Sequence, residues 1–177
     1  MAQQKKNKLD FVFPQTIDRT AFGWYLSGFT DGEGCFSLLL DERKGKRKRD
    51  QPTPCASFAI NLRRDDDGIL KLIQSYLHGG TLVYGKTRHL CSLRFRKLSD
   101  LSTVVQHFDM FPLFAKKAAD FKIWRDGVIL MLYVVQRTQK RSQRYGSSYK
   151  WTPSDHELFV VLKDQLEQGR KFKVGVE

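Results

Sequence analysis

Two periodicities of hydrophobic and polar residues alternate along the chain, and the switches between them mark its elements. Residues 22–34, Phe22-Gly23-Trp24-Tyr25-Leu26-Ser27-Gly28-Phe29-Thr30-Asp31-Gly32-Glu33-Gly34, begin with aromatic and small residues at helical spacing. Asp18 or Thr20 caps this helix, which is expected to run to about Thr30 or Asp31 before Gly32 and Gly34 break it. A strand is expected over 35–40 and a second over 55–63, where Phe58, Ile60 and Leu62 alternate with Ala59, Asn61 and Arg63. Asp65, Asp66 and Asp67 then place acids in the first turn of a helix over 66–77, whose apolar stripe is Ile69, Leu70, Leu72, Ile73 and Leu77. Gly79-Gly80 turns the chain into a second hairpin, over 81–84 and 89–96, in which Leu93 and Phe95 alternate with Ser92, Arg94 and Arg96. A third helix over 99–108 turns Leu101, Val104, Val105 and Phe108 inward. The stiff elbow Phe111-Pro112-Leu113-Phe114 leads to a long helix over 118–137, with Phe121, Trp124, Val128, Leu132 and Val135 as its core stripe. Finally, Thr152-Pro153-Ser154-Asp155 is a capping box with proline at the first helical position, opening a helix to about Gln168 that Gly169 ends.

The order helix, hairpin, helix, hairpin, helices predicts an α+β domain: four strands in antiparallel pairs, helices on one face, and a basic face left exposed. Residues 1–15, with Lys5, Lys6 and Lys8, read as a basic arm; 16–137 as the core; 138–177 as a basic loop, a helix and a tail packed on the same domain. A length of 177 residues with 41% hydrophobic content suits one such core. Charge changes the picture more, because 31 Lys and Arg against 19 Asp and Glu leave a formal net charge of +12. That excess calls for a polyanionic partner, a nucleic acid or an acidic membrane surface. No apolar run approaches the roughly 18 residues of a membrane span, and no signal-peptide pattern is present. The expectation is a soluble intracellular protein with no membrane partner, with bacterial cytoplasm, chloroplast and mitochondrion left open. Cys35, Cys55 and Cys91 are expected to be buried reduced thiols, and His78, His89, His107 and His156 do not have zinc-site spacing. Asp65 to Asp67 read as helix-start acids rather than as a metal site.

The opening helix carries the chemistry. Asp31 and Glu33 lie at the negative end of a helix, where acids are disfavoured unless a cation is bound. Gly28-x-x-x-Gly32 and Gly23-x-x-x-Ser27 are small-residue notches one turn apart, which admit a partner backbone. Arg43-Lys44-Gly45-Lys46-Arg47-Lys48-Arg49 is a solvated loop, a localisation tag or a phosphate-contacting loop; its place between two strands favours contact with DNA. Arginines repeated on one strand face are the pattern of a ribbon that reads a groove.

Leu26-Ser27-Gly28-Phe29-Thr30-Asp31-Gly32-Glu33-Gly34 resembles the nine-residue signature of the LAGLIDADG homing endonucleases. The likeness extends from about Ala21 to Tyr133, through Phe58-x-Ile60 before an Arg-rich turn and Asp65, Gly79-Gly80 before a strand, and Pro112-Leu113 leading to Lys116-Lys117 and Asp120-Phe121. It implies an αββαββα core whose two antiparallel hairpins form a DNA-binding saddle, with extra C-terminal helices. It implies a site-specific nuclease of intron homing that breaks both strands of a long pseudo-palindromic target by metal-dependent hydrolysis. With one motif in the chain, it implies a homodimer whose motif helices pack through Ser27, Gly28 and Gly32. By motif position Glu33 is the metal ligand, with the Gly32 carbonyl as a further ligand, for Mg²⁺ or for Mn²⁺ or Ca²⁺ in the same place; Asp31 is mainly structural. Lys117 matches the active-site lysine, with Lys116 the alternative by one residue. The family's second-strand glutamine falls at Leu62, so Asn61 or Arg63 is expected to substitute, Asn61 as a catalytic candidate.

Contacts with double-stranded DNA are expected from Ser37, Asn61, Arg63, Arg88, Ser92, Arg94 and Arg96 on strand faces. Arg43, Lys44, Lys46, Arg47, Lys48, Arg49, Lys86, Lys116, Lys140 and Arg141 are expected mostly at phosphates. Two other readings use the same scaffold: a maturase that binds intron RNA, and a DNA-binding regulator that does not cleave.

Overall fold

The structure is a computed structural model that describes residues 12–41, 52–85, 89–141 and 150–170, with only the backbone described over 139–141. Its elements are α1 (Arg19–Glu33), β1 (Gly34–Asp41), β2 (Thr53–Arg63), a 3-10 turn (Arg64–Asp66), α2 (Asp67–Leu77), β3 (Thr81–Tyr84), β4 (Leu90–Phe95), α3 (Leu98–Met110), α4 (Lys117–Arg141) and α5 (Pro153–Arg170). The strands form one four-stranded sheet in the order β1-β2-β4-β3. β4 runs antiparallel to both β2 and β3. The chain is α+β, as its periodicities predict. It divides into two compact units, one of residues 1–35 and 58–117, the other of 36–57 and 118–177.

In the first unit, the Asp18 side chain accepts the Ala21 amide at 2.7 Å and starts α1. The helix does not break at Gly32. It runs through to Glu33, and Gly34 takes an extended conformation at φ −72° and ψ 149° while its amide still bonds the Thr30 carbonyl. An interior glycine costs a helix only about 1 kcal/mol, less than tertiary contacts restore. The helix therefore passes directly into β1. Leu26 of α1, Phe58 and Ile60 of β2, Leu93 and Phe95 of β4, Leu70 and Ile73 of α2, and Leu101, Val104 and Phe108 of α3 are buried together as the core. Each contributes about 1.5–3 kcal/mol by leaving water. The predicted α2 stripe holds at Leu70, Ile73 and Leu77, while Ile69 and Leu72 are half-buried. At the α2–β3 turn Gly80 has φ +84°, a conformation that favours glycine, and its amide donates to Asp100 Oδ2 at 3.0 Å.

The second unit is built on α4 and α5. Trp124 is fully buried, and its indole N–H donates to the Ser57 carbonyl at 3.1 Å. Its ring lies 5.1 Å from that of Phe36. Gly127 lets Leu38 approach, since a Cβ there would lie 2.8 Å from Cδ2 of that leucine. The capping box forms reciprocally: Asp155 N donates to Thr152 Oγ1 at 3.2 Å, and Thr152 N donates to Asp155 Oδ2 at 3.0 Å. Arg137 pairs with Asp155 and, by donating hydrogen bonds to it, holds that carboxyl down at about 2. α4 continues past 137 because the Thr138 hydroxyl bonds back to the Val134 carbonyl at 2.7 Å and accepts from Lys150 N at 3.3 Å. Nor does Gly169 end α5, whose last residue, Arg170, bonds the Phe36 carbonyl and Asp120.

Of the three cysteines, all unbridged, only Cys91 is buried; Cys35 and Cys55 are half-buried, contrary to the expectation of three buried thiols, because their strand positions alternate away from the apolar side. Among the described residues, no helix is long and apolar enough to cross a membrane.

One buried group ties the first unit's stability to pH. His107 is 6% exposed, packed against the rings of Tyr76, Phe108 and Phe111, and its Nε2 has no hydrogen-bond partner. Burial pushes its pKa down from 6.5 to about 4. Between those values the unfolded chain takes up a proton that the folded chain does not. The contribution is therefore fully present above about pH 6.5 and is lost as pH falls toward 4. Thermal unfolding followed across that range should show a loss on the order of 3 kcal/mol, which a His107→Phe variant should not show.

Candidate functional site

The C-terminal end of α1 is shaped by a close approach. A Cβ on Gly34 would lie 2.4 Å from Thr30 Cγ2 and 2.7 Å from the Thr30 carbonyl oxygen, so a side chain has no room there. Three contacts then fasten the elbow before α4 to this helix. The Ser27 hydroxyl donates to the Phe111 carbonyl at 2.7 Å. Gly23 receives the Phe111 ring, which would lie 2.7 Å from an added Cβ. Asp31 Oδ2 accepts the backbone amides of Phe114 and Ala115 at 3.0 and 3.2 Å. Asp31 thus relieves its unfavourable place at a helix C-terminus with N–H donors from another segment, while its buried Oδ1 has no hydrogen-bond partner among the described residues.

Those contacts set the neighbourhood of the two principal candidates. Glu33 follows Asp31 by two residues and is exposed; Lys117 follows Ala115 by two residues, is half-buried, and begins α4. Lys116, the alternative, is exposed. Gly32 is exposed with open space around it, so its carbonyl and the Glu33 carboxylate are hard oxygen donors at the negative end of α1. Among the described residues, no three His, Cys, Asp or Glu side chains gather as a metal cluster. One carboxylate and one carbonyl do not by themselves complete the coordination of a divalent cation.

The expected pairing residues separate onto different faces. Gly28 and Gly32 are exposed and unobstructed, and Trp24 and Tyr25 stand beside them at 46% and 48% exposure. Ser27 does not belong with them. It is 1% exposed and spends its hydroxyl on the Phe111 and Gly23 carbonyls of its own chain, because a residue adjacent to Gly28 lies about 100° around the helix.

On the sheet, the pleat separates buried Phe58 and Ile60 from exposed Asn61 and Arg63, and half-buried Leu62 falls on the buried side. The register places Arg94 between Ala59 and Thr81, Ser92 between Asn61 and Val83, and Leu90 opposite Arg63, all on the outward face. Asn61 Oδ1 accepts the Ser92 hydroxyl at 2.6 Å, and Ser92 is only 7% exposed, a recessed residue rather than a projecting one. Arg63 makes a bidentate pair with Asp65 at 3.1 and 2.7 Å, and its hydrogen bonds hold that carboxyl below the usual range. Asp67 is likewise lowered, by Lys71 and the Tyr84 hydroxyl, and the same bond pushes Tyr84 up to about 12. Arg96 is exposed one residue past β4, and Ser37 is half-buried in β1. Arg43, Lys44, Lys46, Arg47, Lys48, Arg49, Lys86 and Arg88, and the side chains of Lys140 and Arg141, lie outside the described residues.

Asn61, the catalytic candidate, is exposed on the outward face of β2, and its amide oxygen is engaged by the Ser92 hydroxyl. Phe58 of the same strand touches the Gly34 position, where its Cε2 would lie 3.3 Å from a Cβ. Val83 and Leu90, each 39% exposed on the outward face, were not among the expected contacts. Alternation counted back from Leu93 does place Leu90 there; Val83 depends on hairpin register, which the residues do not specify.

A family profile described as LAGLIDADG endonuclease matches residues 26–128. The curated relatives include "Probable intron-encoded endonuclease 3" of Neurospora crassa, 30% identical over 109 residues covering 61% of this chain and 20% of that protein. They also include "Probable intron-encoded endonuclease Cox1-I1b" of Schizosaccharomyces pombe, 30% identical over 112 residues covering 63% and 28%. This chain thus spans well under a third of either relative. Among solved structures, the LAGLIDADG meganuclease I-AabMI bound to uncleaved DNA is 27% identical with a TM-score of 0.56, over 67% of this chain and 40% of that one. The homing endonuclease I-TnaI, at 21% identity and a TM-score of 0.64 over 86% and 95% of the two chains, shares the fold.

The two motif glycines should respond oppositely to alanine. Gly32→Ala, helical and unobstructed, should raise the melting free energy by about 0.4–1 kcal/mol, whereas Gly34→Ala, against a backbone oxygen, should lower it by about 1–3 kcal/mol; thermal unfolding of the two variants measures both.

Proposed function

Because the chain belongs to the LAGLIDADG endonuclease family, we propose that it is a site-specific, divalent-metal-dependent DNA endonuclease of intron homing, acting as a homodimer on a pseudo-palindromic target. The observation that supports the proposal is the set of Asp31 hydrogen bonds to Phe114 and Ala115, which ties the segment just before Lys117 to the end of the helix that carries Glu33. Intron-encoded relatives with endonuclease names support the same reading.

The oxygen donors at the end of α1 suit Mg²⁺, a hard cation that keeps several non-protein ligands. Glu33 and the Gly32 carbonyl would hold it, with DNA phosphate and the matching residues of a second copy completing the set. When bound, the ion supplies Lewis acidity at the phosphodiester and acidifies a water. Lys117 offsets the charge that builds on the phosphoryl oxygens, and Asp31 keeps the lysine's segment in register with Glu33. Gly28 and Gly32 admit the backbone of the partner helix, so that pairing and metal binding occupy adjoining surfaces. A twofold pair of such ends cuts one strand each.

The substrate for the test is a duplex carrying the exon–exon junction of the uninterrupted gene. The wild-type protein should break both strands only with Mg²⁺ present, and Glu33→Gln should lower the rate at least on the order of 10²-fold without loss of DNA binding. Cleavage by Glu33→Gln at the wild-type rate would overturn the mechanism. Gly28→Leu, whose Cβ would stand in open space, should melt normally, sediment as a monomer and fail to make double-strand breaks. A stable, fully active dimer of that variant would remove α1 from the interface.

A further inference from the structure

The outward sheet face holds a side-chain pair whose chemistry goes further than binding. Asn61 and Ser92 lie directly opposite each other in the β2–β4 register, and the Ser92 hydroxyl is 2.6 Å from Asn61 Oδ1. That separation suits O–H···O and is short for a bond to an amide nitrogen, so the carbonyl end of Asn61 faces Ser92. On the other side of Ser92 is Val83, which offers the hydroxyl nothing. With Ser92 only 7% exposed, water has little access, and an unpartnered hydroxyl would cost about 1–3 kcal/mol. The bond therefore holds the amide in one orientation. Asn61, exposed, turns its NH₂ group away from the serine.

We infer that Ser92 fixes Asn61 with its amide N–H donors facing the major groove, so that it selects against cytosine at one position of the target. The inference rests on the DNA-binding reading of this face. In the major groove guanine offers acceptors at O6 and N7, thymine at O4 and adenine at N7, whereas cytosine offers only its N4 donor. An unrestrained asparagine can turn either its oxygen or its nitrogen toward a base. With the oxygen held toward Ser92, the outward N–H donors bond an acceptor of guanine, thymine or adenine and are opposed by the amino group of cytosine. Val83 and Leu90 on the same face add no acceptor that would undo the selection. Asn61 is here a specificity residue, and Ser92, which touches no base, is the residue that positions it.

The test is selection of bound duplexes from a randomised double-stranded DNA library in EDTA, so that no strand is cut, with the full chain and four variants. Asn61→Ala identifies the position, as the one where base preference disappears. Wild type should exclude cytosine there. Ser92→Ala should raise the share of cytosine at that position about tenfold, and Ser92→Thr, which keeps the hydroxyl, should retain the wild-type preference. Asn61→Asp, an acceptor only, should invert the preference toward cytosine, an outcome that loss of packing alone does not produce. Melting curves confirm that each variant is folded. Cytosine at the wild-type position, an unchanged preference in Ser92→Ala, or no position altered by Asn61→Ala would overturn the inference while leaving DNA binding intact. Failure of the wild type to enrich any sequence would overturn the DNA-binding reading along with it.

Discussion

The fastening of the Phe111–Ala115 elbow to α1 is the constraint on which the rest of the candidate site depends. A hydroxyl, a carboxylate and a glycine notch on one helix engage a segment some 84 residues away in the sequence. Each bond is modest alone, about 0.5–1.5 kcal/mol for a neutral pair and up to about 3 where a carboxylate accepts. Their geometric effect is larger than their energy. Asp31, two residues before Glu33, holds the two amides just ahead of Lys117. Gly34 completes the arrangement, since a helix that turns into a strand within one residue leaves its last acid at the surface.

The same helix divides its small residues between two tasks. Gly23 and Ser27 face the chain's own elbow, while Gly28 and Gly32 face outward with open space. One notch serves folding and the other is available for assembly. In the family reading, a defect in either would reach the chemistry by a different route, through the position of Lys117 or through the absence of the second acid.

The outward sheet face shows a comparable division between affinity and readout. Arg63 is engaged by Asp65, and Ser92 is recessed beneath Asn61, so the strand face is less uniformly basic than the residues suggest. Positive charge supplies attraction to phosphate without information about bases. The Asn61–Ser92 pair lies on that face together with the exposed aliphatic residues Val83 and Leu90.

The sequence by itself determined the order and type of the elements, because alternation in β2 and β4 and the three- and four-residue spacing in α2 and α4 are local properties. It determined the capping box at Thr152 and Asp155 for the same reason, and it marked Glu33 as a candidate through a motif whose residue types and spacing are specific, with Lys117 or Lys116 as the candidate lysine after the elbow. Where α1 ends was decided by tertiary structure: Gly32 is a weak breaker, and contacts from a distant elbow outweigh its propensity. The inward turn of Ser27 was decided there as well, since helical spacing groups small residues without saying which notch a neighbour will fill. So was the pairing of Ser92 with Asn61 on one side and Val83 on the other, because strand register links residues that share no local signal. In each case the deciding partner lies tens of residues away, and a local pattern cannot name a non-local partner.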